Sequence, residues 1–168
     1  MKHKLESPDS HHLDAAEGWL GLGRRDEAMI ELQKISSENQ RHPDVLEVRW
    51  GIYAEEREWD AAIEVARRLM QRAPDRASGW LNHAYAVRRA PGGGLEKAWE
   101  ALRPAAGKFP KEPTVAFNLA CYACQLGQLD EARGWLTRAM RVGGKQRVKH
   151  MALADEDLKP LWPEIASS

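Results

Sequence analysis

The chain has 168 residues, with 25 Lys and Arg against 25 Asp and Glu, 43% hydrophobic and 30% charged residues, and two Cys. A hydrophobic share near the globular average excludes wholesale disorder and a collagen-like fibre, and zero net charge argues against nucleic-acid binding through bulk positive charge. No apolar run approaches the ~18 residues of a membrane helix, the first residues carry charge and a proline where a signal peptide has its apolar core, and two cysteines cannot build a disulfide framework, so the expected address is the cytoplasm.

In chain order, apolar positions at helical spacing predict eight antiparallel helices in four hairpins: about 10–22 with 25–40, 43–56 with 59–72, 77–90 with 94–107, and 113–126 with 129–142. No segment of useful length alternates with period two, so no sheet is expected. Each hairpin repeats one phrase, an acidic or polar pair followed by Ala: Asp26-Glu27-Ala28, Asp60-Ala61-Ala62, Glu96-Lys97-Ala98 and Asp130-Glu131-Ala132. The spacings between those alanines are 34, 36 and 34 residues. A 34-residue period is the length of a tetratricopeptide repeat. The two extra residues fall at Pro91-Gly92-Gly93-Gly94, where a turn lengthens without disturbing packed helices. Pro74 and Pro110 mark the register again, each ending one helix and starting the next. Pro104 falls inside the second helix of the third hairpin, where it removes a backbone bond and predicts a kink.

With these alanines and prolines, Trp80, Ala84, Leu119, Ala120 and Gly127, the chain resembles the tetratricopeptide repeat family over roughly residues 9 to 144. Its ending, from Phe117 to Gly127 and from Met151 to Trp162, resembles small bacterial tetratricopeptide proteins. The fold implied is all-α, an α-solenoid of four hairpins in a single domain, with repeats at about 9–42, 43–76, 77–112 and 113–144. Small residues at Ala16, Ala28, Ala62, Ala84, Ala98, Ala120 and Ala132 would let helix backbones approach closely. Trp50 stands where the family usually has a small residue. A stack of hairpins leaves an apolar face at its last unit, and residues 145–168 read as its cap, with Val148, Met151 and Leu153, then a turn of helix started by Asp155-Glu156-Asp157 that presents Leu158, Leu161 and Trp162.

The residues that could carry chemistry each have a plainer reading. Cys121 and Cys124 form C-x-x-C, but they fall mid-helix, where no helix N-terminus stabilises a thiolate, and there is no second Cys pair for zinc; they read as small packing or groove residues. His3, His11 and His12 lack a fixed geometry for a metal. Pro-Gly-Gly-Gly lacks the Gly-Lys-Ser/Thr and the strand of a phosphate loop. Trp19, Trp50, Trp80, Trp99 and Trp135 fall at spacings compatible with a core, not a base-stacking platform. No catalytic residue, cofactor or metal is expected, and the chain does not read as an enzyme.

Charge is uneven along the chain, with net −4 over 1–76, +7 over 77–150 and −3 over 151–168. The family resemblance implies a concave surface lined by the first helix of each hairpin, where peptides bind. Carried onto this sequence, it gives Glu17, Glu47, Leu81, Asn82, Tyr85, Arg88, Phe117, Asn118 and Cys121 as peptide-binding positions. Leu13 and Glu17 replace the basic and Asn residues that some relatives use to hold a chaperone's C-terminal carboxylate. The reading is a non-catalytic interaction module for a protein or peptide, with no membrane or nucleic-acid partner. The alternatives are a self-associating structural protein that docks through Leu158, Leu161 and Trp162, and a secretion-type chaperone.

Overall fold

The computed structural model describes residues 4–168. Helices run through it, and the described residues contain no β-strand. The class is the expected one, an all-α solenoid of helix hairpins with a C-terminal cap. The chain divides into two compact units, one ending at Ala86 and the other spanning Val87–Ser168. Among the described residues, no helix is long and apolar enough to cross a membrane.

The first unit holds α1 (Asp9–Gly21) paired with α2 (Arg25–Lys34) and α3 (Pro43–Glu56) paired with α4 (Trp59–Arg72), followed by most of α5 (Ala77–Arg89). Pro43 opens α3 at its first position, where a missing N–H costs nothing, and the His42 ring accepts the Asp44 N–H at 3.2 Å. Leu13, Leu32, Val45 and Ile52 bury together with Ala16 and Ala28, and Leu46, Val65 and Leu69 form a second cluster. α2 ends at Lys34, six residues before the expected boundary of 40. The polar run after it supplies the reason, because its side chains compete for backbone groups. Ser36 N–H and Asn39 Nδ2 donate to the Asp9 carboxylate at 3.0 and 2.7 Å, and Gln40 Nε2 donates to the Leu32 and Ile35 carbonyls at 2.8 and 2.6 Å. The Ser36 hydroxyl, the Asn39 amide and the Ser36 N–H, all donating to Asp9, hold its carboxyl below its usual value although the residue is buried.

The second unit contains α6 (Leu95–Leu102), α7 (Ala105–Lys108), α8 (Pro113–Gln125), α9 (Leu129–Gly143), α10 (Lys145–Leu153), a 3-10 helix (Glu156–Leu161) and α11 (Trp162–Ser167). The predicted effect of Pro104 is larger than a kink. It splits the expected helix into α6 and α7, leaving Leu102, Ala105 and Ala106 buried on either side of the break. The Pro91–Gly94 stretch is a turn, and a Cβ on Gly93 would fall 1.8 Å from the Val87 carbonyl oxygen, so only glycine fits there. α8 and α9 pair as the last hairpin; α10 packs on α9 and the 3-10 helix packs on α8.

All seven alanines of the predicted register have 0% exposure. The five tryptophans expected in the core are only half-buried, since an indole is large and its N–H seeks a partner, as Trp135 Nε1 does in donating to Glu131 at 3.0 Å. With no space beside Ala62, Ala62→Leu should overpack α4 and cost about 1 to 3 kcal/mol, read as a lower urea midpoint; an unchanged midpoint would place Ala62 outside the interface.

Candidate functional site

The first unit brings Glu17, Glu47, Leu81, Asn82 and Tyr85 onto consecutive first helices α1, α3 and α5. Glu17 is exposed on α1, and its carboxyl is pushed up, first by partial desolvation and then by Asp14, Asp44 and Glu47. Glu47 is already partnered: Ser78 Oγ donates to it at 2.7 Å and Arg76 Nη1 at 3.2 Å, while the same Arg76 nitrogen lies 2.6 Å from Asp44. These bonds fasten α3 to α5 and leave Glu17 as the less committed carboxylate of the patch.

Tyr85 is the solvent-facing aromatic of this surface, at 39% exposure, with Leu81 and Asn82 half-buried one turn before it. Its ring meets Trp50 edge-on at 5.8 Å and Trp59 at 6.1 Å, so its orientation is fixed by packing. Trp50 Nε1 is buried with no hydrogen-bond acceptor, so this indole is held by packing. Trp59 escaped the sequence reading, because it opens α4 and its place beside an aromatic of α5 has no counterpart in residue spacing. An open cleft of about 650 Å³ at the start of α3, lined by Arg41, His42, Arg72 and Arg76 with Asp44 and Asp75, also had no motif to announce it; its mixed charges suit no apolar anchor.

In the second unit, Arg88, Phe117, Asn118 and Cys121 have different settings. α8 is buried around its circumference, with every residue from Val115 to Cys124 except Asn118 inside. Residues of the 3-10 segment cover it, with Leu158 and Leu161 at 0% and 1% exposure. Arg88 grips that segment through both guanidinium nitrogens, Nη2 donating to Asp157 Oδ1 at 3.0 Å and Nη1 to Oδ2, and the Arg88 guanidinium also lies over the Tyr122 ring at 5.6 Å. Gln125 Nε2 donates to the Asp157 carbonyl at 2.9 Å. Phe117 is 7% exposed and lines a narrow crevice with Pro113, Thr114, Gly143, Arg147 and Met151. Asn118 turns one amide N–H back to the Thr114 carbonyl at 2.9 Å. Leu158 and Leu161, expected as an exposed docking element in the self-association reading, are buried against their own chain.

The thiols sit in the same region. Cys121 Sγ lies 3.7 Å from Asp155 Oδ2, and burial, reinforced by Asp155 and Asp157, pushes its titration far above the ordinary thiol range. Cys124 is shifted upward by burial and by Asp157. Ligand atoms of Cys121, Asp155 and Asp157 lie within 4.8 Å of one another, but a protonated thiol is a donor and Arg88 neutralises Asp157, so the cluster is arranged as a hydrogen-bonded ion pair; a cation there would have to displace the guanidinium. His12 pairs with Glu31 at 2.9 Å and His11 faces Ser7 at 3.5 Å, so the two rings do not converge, and His3 lies outside the described residues.

The fold has solved counterparts. The chain is similar to the crystal structure of TTC0263, a thermophilic tetratricopeptide protein of Thermus thermophilus, with a TM-score of 0.72 at 20% identity over 94% of this chain and 82% of that one. It is also similar to crystal structures of MamA, one at a TM-score of 0.68 and 16% identity, covering 83% of this chain and 81% of that one, and another at 0.66 and 17%, covering 95% and 86%. No family model matches the chain, and no curated protein matches it by sequence. The chain therefore has a tetratricopeptide-like fold.

Both thiols are buried and neutral, so at pH 8 the folded protein should react with a disulfide reagent far more slowly than a free thiol, with both cysteines titrating rapidly once denaturant is added. Fast reaction of either thiol in the native state would contradict the burial of α8.

Proposed function

We propose that the protein is a non-catalytic interaction module that binds a protein or peptide segment on the surface formed by α1, α3 and α5. The observation that carries this reading is Tyr85, an exposed aromatic held in place by Trp50 and Trp59. A rigid amphipathic ring buries a partner side chain at little entropic cost, which is why Tyr is enriched among interface hot spots. Asn82 supplies amide groups for a partner backbone, Leu81 adds apolar area, and Glu17 with Glu47 favours a basic stretch. The tetratricopeptide-like fold supports the same reading, since a scaffold of stacked hairpins offers side-chain surfaces without a catalytic cavity. In the second unit the corresponding positions Arg88 and Cys121 are engaged by Asp157 and Asp155 of the chain's own segment, and a partner reaches them only after that segment moves.

Immobilised wild-type protein should capture partners from a lysate, and the double variant Asn82→Ala with Tyr85→Ala should weaken the capture by about 1 kcal/mol or more while keeping its helical circular dichroism. An identical set of captured proteins at identical affinity would end the assignment of this surface.

A further inference from the structure

On α8, a peptide segment is already seated. Residues 155–161 are held there by a small set of contacts: from α8 itself, Gln125 on the Asp157 carbonyl and the Cys121 thiol on Asp155; from the end of α5, Arg88 on both carboxylate oxygens of Asp157; and two leucines, Leu158 and Leu161, buried three positions apart. The intervening Glu156, Lys159 and Pro160 are exposed. α8 together with Arg88 of α5 thus reads two aspartates and two leucines and ignores what lies between. Apart from the Gln125 contact, the polar contacts go to side chains, so another chain with the same spacing could satisfy them. The flanking helices are held elsewhere: Arg133 of α9 pairs with Glu164 of α11 at 2.7 Å through each of two nitrogens, and Trp162 Nε1 donates to the Ala152 carbonyl of α10 at 2.9 Å.

We propose that this face of α8 is a docking surface for acidic, leucine-bearing segments of the pattern Asp-x-Asp-Leu-x-x-Leu, and that residues 155–161 occupy it in cis, so that a partner binds by displacing them. The proposal rests on the interaction-module reading and names a second partner class for it. A tethered segment competes at the high effective concentration that its short link sets. The surface is therefore closed to weak ligands and opens through local release of the tail.

The test uses the full chain and a fluorescein-labelled synthetic peptide copying residues 153–163, with binding read by anisotropy. The double variant Asp157→Ala with Leu158→Ala weakens the tail and should bind the peptide at least about tenfold more tightly than wild type. Adding Arg88→Ala to that variant should abolish the gain, and a peptide carrying the same two alanines should not bind. A folded double variant that binds the peptide no better than wild type overturns the proposal. If the variant does not fold, hydrogen exchange on the wild-type protein decides: amides of residues 156–161 should exchange through a local opening while α8 stays protected, and loss of protection by both in one step overturns the proposal. Partner capture that depends on Tyr85 but is indifferent to Asp157→Ala, with no peptide binding, would remove this inference and leave the module reading in place.

Discussion

A helix that is apolar over most of its circumference must be covered on nearly every side, and α8 is such a helix, with every residue from Val115 to Cys124 except Asn118 buried. Pairing with α9 covers one side, and α6 and α7 contribute another. The remaining surface would expose Cys121 and Cys124, and water there costs free energy in proportion to the apolar area. Residues 155–161 remove that cost by placing Leu158 and Leu161 on it, and burial of a leucine is worth about 1.5 to 3 kcal/mol. The ion pair of Arg88 with Asp157 gives the segment its register, because an apolar contact alone would let a six-residue 3-10 helix slide. The chemistry of the thiols follows from the same packing: the cover that hides them also keeps them protonated, so a C-x-x-C sequence carries no thiolate.

The first unit meets a different constraint. Its register alanines let helices approach closely, while Leu32, Ile52 and Leu69 fill the space between them. Its first helices then carry side chains that the core does not need: Glu17, Asn82 and Tyr85. Tyr85 is the most committed of these, being exposed yet fixed by two indoles. An exposed aromatic with a fixed orientation has already lost the rotamer freedom that binding would otherwise take away.

Much of the fold was legible because close helix packing demands small residues at regular intervals, and that demand leaves a periodic mark. Ala28, Ala62, Ala98 and Ala132 announced the hairpins, and Pro104 announced a break whose extent, a full split between α6 and α7, depends on the packing of Leu102 and Ala105 on each side. The early stop of α2 was less legible, because it depends on Asp9 receiving Ser36 and Asn39 from 27 and 30 positions along the chain. The site was legible only in part. Family resemblance carried peptide-binding positions onto Arg88 and Cys121; the structure places both against Asp157 and Asp155 of the same chain, which nothing in residue spacing could foretell. Asp155 and Asp157 were read as a helix start, which Asp155 is, its carboxylate accepting the Asp157 N–H at 2.9 Å. Their second role, toward Arg88 and Cys121, comes from contacts of 69 and 34 positions that no local pattern encodes.

The central claim is that residues 155–161 lie on α8 with Asp157 against Arg88. A double-mutant cycle of Arg88→Ala and Asp157→Ala on urea unfolding tests it most directly. Because the two side chains grip each other through two hydrogen bonds, their effects should be non-additive, with a coupling of about 0.5 to 3 kcal/mol. Additivity within about 0.3 kcal/mol, the behaviour of independent sites, would mean that the segment does not dock there.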